Sequence, residues 1–247
     1  MLEISKKLKG IVETPPHAEA KLWVMSTVTS HAASQRLAYM LKASTCAMDL
    51  SRDRVMDFSG ALKSIGQRET FLISWRWLKV FKNSYTVRFH SLPEHDEIIR
   101  KIFSWQRILL ETDVSLVSEL PPSGESERLN VTISEYDRYA LISTDSLPGS
   151  REEFGMQVRR RKEEAYAQGV QTVALHVPTD HPLPVYLSNS LREHGFFFSG
   201  IVPMSASEYK LLYTCLGAQS FDFDTLKLYA KTSVELCDYV KSEYGKV

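Results

Sequence analysis

Cysteine is scarce in this 247-residue chain: Cys46, Cys215 and Cys237 are three in number, lie far apart and include no C-x-x-C pair. Neither a disulfide framework nor a zinc knuckle can be built from them. Long apolar runs are missing as well. No stretch approaches the roughly 18 apolar residues of a membrane span, and the opening MLEISKKLKGIVETPP lacks the apolar core of a secretory signal. The expected compartment is therefore the cytoplasm, with no membrane partner. Nor is there an excess of charge, since Lys+Arg and Asp+Glu both number 30. A balanced chain has no global field to collect nucleic acid, which leaves a small molecule or another protein as the expected partner. The histidines never fall at metal-ligand spacing with a carboxylate, so no metal is expected.

What is present is a globular composition, 43% hydrophobic and 24% charged, in a chain long enough for two ordinary domains or one large one. Alternation and apolar runs predict strands at 22–28, 45–50, 70–78 and 85–89, with helices at 32–42 and 93–106. Pro93 suits a first helical turn, and Glu94, Asp96 and Glu97 suit its positive end. Residues 120–126, rich in Pro, Ser and Gly, form a linker or an exposed hairpin. Beyond them an antiparallel pair is expected at 130–134 and 140–144. Ser150 and Glu153 open a helix that Gly169 stops, and a strand at 172–177, a helix at 183–194 and strands at 196–202, 209–216 and 226–229 come next. A helix at 232–243 closes the chain.

The two halves repeat. A shift of 150 residues lays 24–50 on 174–200 without a gap, so that Val28-Thr29-Ser30-His31 falls on Pro178-Thr179-Asp180-His181. After each block comes another strand, then a strand and a helix, 86–106 against 225–245. Few residues are identical, but the order and length of the elements point to a duplication.

The second half resembles the GNAT family of N-acetyltransferases: two strands, a helix, a strand, a helix and a strand pair, with His194-Gly195-Phe196-Phe197-Phe198 at the junction of the last core helix and its strand. The segments Val28–Thr29–Ser30–His31–Ala32–Ala33–Ser34–Gln35, Leu92–Pro93–Glu94–His95 and 193–203 are similar to the GNAT-like region of bacterial proteins that join it to a histidine-kinase-type ATPase. The resemblance implies an α/β (α+β) mixed-sheet fold of tandem GNAT-like lobes, the first abbreviated. The division is an N-terminal extension at 1–20, a first lobe at 21–118, a linker at 119–127 and a second lobe at 128–247. It also implies acetyl-CoA or another acyl-CoA as cofactor, and a signalling ATPase as a protein partner.

Two family requirements bear on activity. The family's Q/R-x-x-G-x-G/A loop brings backbone amides to the coenzyme A diphosphate at a helix start. Here it falls on 144–151, with Gly149, Ser150 and Arg151 as the cofactor-binding candidates, but Asp145 and Pro148 depart from the pattern. The family's tyrosine general acid falls on Leu191, with Tyr186 five residues earlier. The base candidates are Glu135, after a strand near the expected cleft, and His181 and His31, which also suit turn and capping chemistry. Two readings follow. One is a degenerate GNAT-like accessory or regulatory protein without standard acetyltransferase activity. The other is a coenzyme-A-dependent N-acyltransferase with a nonstandard diphosphate loop.

Two further features have structural readings. Cys46 is expected as a small buried hydrophobe. The run Arg159-Arg160-Arg161-Lys162 faces Glu163 and Glu164 at i,i+4, as a salt-bridged helix surface does.

Overall fold

The computed structural model describes residues 22–55, 66–77, 86–118 and 129–247. The expected N-terminal extension and the 119–127 linker lie outside them. The chain is a mixed α/β protein organised around one eight-stranded sheet.

The first half contributes β1 (Leu22–Val28), α1 (Ala33–Met40), β2 (Ser44–Asp53) and β3 (Glu69–Trp77). The second contributes the hairpin β7 (Asn130–Ser134) and β8 (Tyr139–Ser143), then α3 (Arg151–Ala167) and β9 (Thr172–Pro178). After β9 come α4 (Leu187–Glu193), β11 (Phe197–Pro203) and β12 (Tyr209–Cys215). The strand order is β1-β3-β2-β11-β12-β9-β8-β7. Thus β1-α1-β2-β3 and β9-α4-β11-β12 have the same sequence of elements. In each unit the last strand inserts between the other two, and the units meet where β2 pairs β11. The repeated order of elements legible in the sequence is a two-fold-like arrangement within one sheet.

The closing segment of each half also reaches the other half. β4 (Thr86–His90) leads through a 3-10 turn at Pro93–His95 into α2 (Asp96–Trp105), and another 3-10 turn at Phe223–Thr225 precedes α5 (Lys231–Tyr244). The His90 amide donates to the Thr179 carbonyl at 3.0 Å, and the Lys227 amide donates to the Thr29 carbonyl at 2.9 Å. Thr29 and Thr179 are equivalent under the 150-residue shift, so each closing segment is hydrogen-bonded to the same point of the other half. Gln35 reinforces the second contact: its amide donates to the Lys227 carbonyl at 2.6 Å and accepts from the Tyr229 amide at 2.9 Å.

β2 and β11 pair at a single position, Ala47 opposite Gly200. Past that crossing the end of β2 reaches the start of β8, where the Tyr139 hydroxyl donates to Asp49 at 2.8 Å. Four strand spacings separate β2 from β8 in the sheet order, about 19 Å if the sheet were flat. The sheet therefore folds over itself at the crossing. Arg68 holds the fold closed from the same side, through the Ser51 and Asp137 carbonyls and through Gln171 at 3.1 Å.

Both faces of the central strands are covered, which is why β12 is buried along its whole length. On α2 the residues Ile98, Ile99, Ile102 and Phe103 form the buried stripe, about 8 kcal/mol of gross hydrophobic stabilisation before the cost of ordering the chain. Three consecutive rings at 196–198 cannot share one strand face, yet all are buried. A bulge between Phe198 and Gly200 re-aims the strand. Phe197 then meets Tyr244, and Phe198 stacks on His95 at 4.2 Å. Cys46 is fully buried, and burial pushes its thiol pKa far up, as suits a small hydrophobe.

The structure corrects several expectations. Residues 226–229 are not a strand, because their hydrogen bonds go to Thr29 and Gln35. The helix expected from 183 begins at Leu187, since Leu183–Pro184 is a short strand, β10, paired in parallel with β6 (Leu116–Val117). β5 (Leu109–Asp113), parallel to β4, was not expected at all. Among the described residues no helix is long and apolar enough to cross a membrane.

Candidate functional site

β8 and β9 run parallel, from Tyr139 opposite Thr172 to Ser143 opposite His176; every other neighbouring pair described in the large sheet is antiparallel. Past Ser143 the chain turns through 144–150 into α3, and past Pro178 it turns through 179–186 into α4. Divergence at the carboxyl ends of parallel strands is where α/β sheets form ligand crevices.

The 144–150 loop is held largely by its own groups. Thr144 Oγ1 donates to the Ser146 carbonyl and accepts from the Ser146 amide at 3.2 Å. Leu147 and Pro148 are buried, and the Pro148 carbonyl accepts from the Tyr186 hydroxyl at 2.6 Å. Ser150 caps α3 by accepting from the Glu153 amide at 3.2 Å, which removes one of the free amides of the helix start. The Asp145 carboxylate points to solvent and lies 3.2 Å from Lys210 Nζ. Between α3 and α4 runs a groove of about 440 Å³ lined by Arg151, Gly155, Arg159, Ser190, Glu193 and His194. Its cations are balanced, Arg151 by Glu193 at 2.6 Å and Arg159 by Glu163 at 2.9 Å. Arg160 pairs Glu164 at 2.8 Å, as the helical spacing predicts.

Gly149, Ser150 and Arg151 stand together at the start of α3, and His181 lies at the same end of the β8–β9 pair. His181 is exposed, with Asp180 at 3.5 Å as an equally exposed neighbour, and it precedes α4 by six residues rather than opening it. Glu135 is exposed in the turn between β7 and β8. That is the end of β8 opposite the 144–151 loop, so Glu135 does not stand at the cleft. His31 follows β1, with its Nδ1 accepting from the Ala33 amide at 3.2 Å. Four strands separate β1 from β9, and the pairing order makes them antiparallel. Glu135 and His181 stand at opposite ends of the β8–β9 pair, so the three base candidates do not meet in one site.

Other polar side chains do converge. Ser143 and His176 form a cross-strand pair, and Lys210 lies on the same face, one alternate position along β12 from Leu212, the other partner of His176. Lys210 Nζ also donates to the Thr144 carbonyl at 3.3 Å. Burial, then the positive charges of Lys210 and Arg52, lower the His176 pKa to about 4, so its ring is neutral near pH 7. At the other end of this face Asp49, 2% exposed, accepts from Tyr139 at 2.8 Å and from Arg52 at 2.7 Å. Burial raises the Asp49 pKa, and Arg52 and Tyr139 only partly restrain the rise. Tyr139→Phe would leave that carboxylate short of a donor in a dry setting. It is expected to cost about 2 kcal/mol in urea unfolding near neutral pH, and an unchanged midpoint would mean that Arg52 alone satisfies Asp49.

A signal for these residues was present in the sequence. Lys210 interrupts Tyr209–Leu211–Leu212–Tyr213, and Asp49 interrupts Ala47–Met48–Leu50; a charge inside an apolar strand must be paired wherever the strand is buried. Among the described residues no group of three or more His, Cys, Asp or Glu is arranged to hold a metal ion. Comparison of the chain with protein-family models, with curated proteins and with solved structures gives no match in any of the three.

Proposed function

We propose that this chain is a GNAT-like binding module, with an abbreviated first lobe, that holds a small molecule or a protein partner and does not carry out standard acetyl transfer from coenzyme A. The element order β7-β8-α3-β9-α4-β11-β12 supports the scaffold, because it is the order the sequence resemblance implies. β1-α1-β2-β3 repeats the order of its later part, β9-α4-β11-β12.

The observation that carries the functional half is the build of 144–151. A diphosphate needs several convergent amides at a helix start. Here Pro148 has no N–H, the Ser146 amide is held by Thr144, and Ser150 caps its own helix by taking up the Glu153 amide. The residues present do not fit coenzyme A in the family's usual way. The position of the family's general acid holds Leu191, fully buried, and the neighbouring hydroxyl of Tyr186 is turned onto Pro148.

The test is a titration of the chain with acetyl-CoA, followed by its melting temperature and by release of free thiol. No shift and no thiol release are expected. Binding at a hundredfold excess over Kd would add about 2.7 kcal/mol, several degrees for a chain of this size. A shift of that order, abolished by Gly149→Trp, would replace this reading with the coenzyme-A-dependent acyltransferase.

A further inference from the structure

We propose that Lys210, with His176 and Ser143 beside it, anchors a binding site for a small-molecule carboxylate, and that Asp145 occupies this site in the resting chain as an internal stand-in. The inference rests on reading the chain as a small-molecule-binding module and names the chemistry of its ligand.

Lys210 lies on an interior strand with its side chain 9% exposed, a setting in which an ammonium cannot be left without an anion. It has three N–H donors. One goes to the Thr144 carbonyl at 3.3 Å and one to Asp145 at 3.2 Å. The two partners of the ion pair differ sharply. The Asp145 side chain is fully solvent-exposed, so it can leave Lys210 for water without losing hydration, and an exposed carboxylate is weakly held. The ammonium has no such alternative. An external carboxylate that arrives at Lys210 exchanges for Asp145, group for group, and leaves the buried charge paired throughout.

The surroundings supply what a ligand carboxylate would need next. His176 and Ser143 share the Lys210 face and are half-buried rather than covered. The His176 ring has no hydrogen-bond partner among the described residues and is neutral near pH 7, so it can either donate to or accept from a bound molecule. Arg52 adds positive potential here, but its own charge is matched by Asp49 at 2.7 Å. Lys210 is balanced by Asp145. The place is the carboxyl end of the parallel pair, at the mouth of the divergence between β8 and β9.

The experiment uses the full chain and its D145N, K210M and D145N/K210M variants, with circular dichroism as the check on folding and K210R as the charge-preserving partner should K210M unfold. Succinate is titrated calorimetrically, with inorganic phosphate as the comparison anion, and the melting temperatures of the unmodified chain and of K210M are followed with acetyl-CoA. Removing the internal competitor should tighten succinate binding by about tenfold or more in D145N, and K210M should abolish it in both backgrounds. Equal affinity in the unmodified chain and D145N, or binding that survives K210M, overturns the proposal. Phosphate binding more tightly than succinate in D145N overturns the carboxylate assignment. A thermal shift with acetyl-CoA that K210M leaves intact sinks the functional reading above and not this site; no succinate binding in D145N, with no acetyl-CoA shift, sinks this site alone.

Discussion

Replacing Gly200 with alanine is expected to lower stability by about 3–6 kcal/mol, a large share of the roughly 5–15 kcal/mol typical of a folded domain. Gly200 has φ +135°, a conformation that L side chains rarely adopt. A Cβ there would lie 2.4 Å from the Ala47 Cα, 2.5 Å from the Cys46 carbonyl oxygen and 2.7 Å from the Ala47 Cβ. Two of these are backbone atoms and the third is fixed to backbone, so no rotamer change relieves the clash. The same residue pair is the one point at which β11 and β2, and with them the two halves, are hydrogen-bonded in the sheet. Relief by separation would open the crossing and pull Asp49 from Tyr139. Gly155→Ala is the matched control. Its Cβ would meet the flexible ends of His194 at 3.3 Å and Ser190 at 3.5 Å from an ordinary helical backbone, so a change within about 1 kcal/mol is expected. The readout is the urea midpoint by circular dichroism; a Gly200→Ala midpoint close to that of the unmodified chain would mean the strands do not cross this tightly.

That crossing marks the boundary of what the sequence discloses. The strands at 22–28 and 130–134 were legible to the residue, and α3 was bracketed by Ser150 and Gly169 because capping chemistry is local. The 150-residue repeat was legible as an order of elements. That each closing segment also reaches the other half rests on hydrogen bonds between residues such as His90 and Thr179 that no local pattern encodes. β5 carries little sequence signal, because Leu109–Asp113 is an exposed edge whose alternation is mostly polar. Residues 226–229 read as a strand because their apolar side chains alternate, but the backbone there is satisfied by a glutamine side chain and a turn carbonyl. Among the site candidates, those that share a short segment, Gly149 to Arg151, stayed together. His31, Glu135 and His181 come from three separate segments, and which strand ends lie together is not given by the sequence.

Acid is expected to destabilise the protein steeply below about pH 6.5, with His95 and His176 as the main cause. His95 is 1% exposed, stacked on Phe198 at 4.2 Å, with its Nδ1 2.8 Å from the Tyr239 hydroxyl. Burial, together with Arg192 and Lys246 and against the opposing pull of Glu94, lowers its pKa to about 3. His176 falls to about 4, through burial first and then Lys210 and Arg52. In the unfolded chain both rings titrate near the ordinary histidine value of about 6.5. Below that pH the unfolded state binds protons that the folded state refuses, so this contribution is fully present above about pH 6.5 and is lost as the pH falls, levelling only at the lowered native values. Each histidine removes about 1.4 kcal/mol per pH unit inside the window, and the pair about 4 kcal/mol between roughly pH 6.5 and 5. Asp49 has the opposite sign: burial raises its native pKa, so its part of the stability grows as the pH falls through that raised value and cannot produce the loss. Urea unfolding followed from about pH 7.5 to 4.5 should therefore show a slope that His95→Gln and His176→Gln each reduce by about half. If the double variant keeps the full slope, the protons are taken up elsewhere and the two rings are not held neutral in the folded chain.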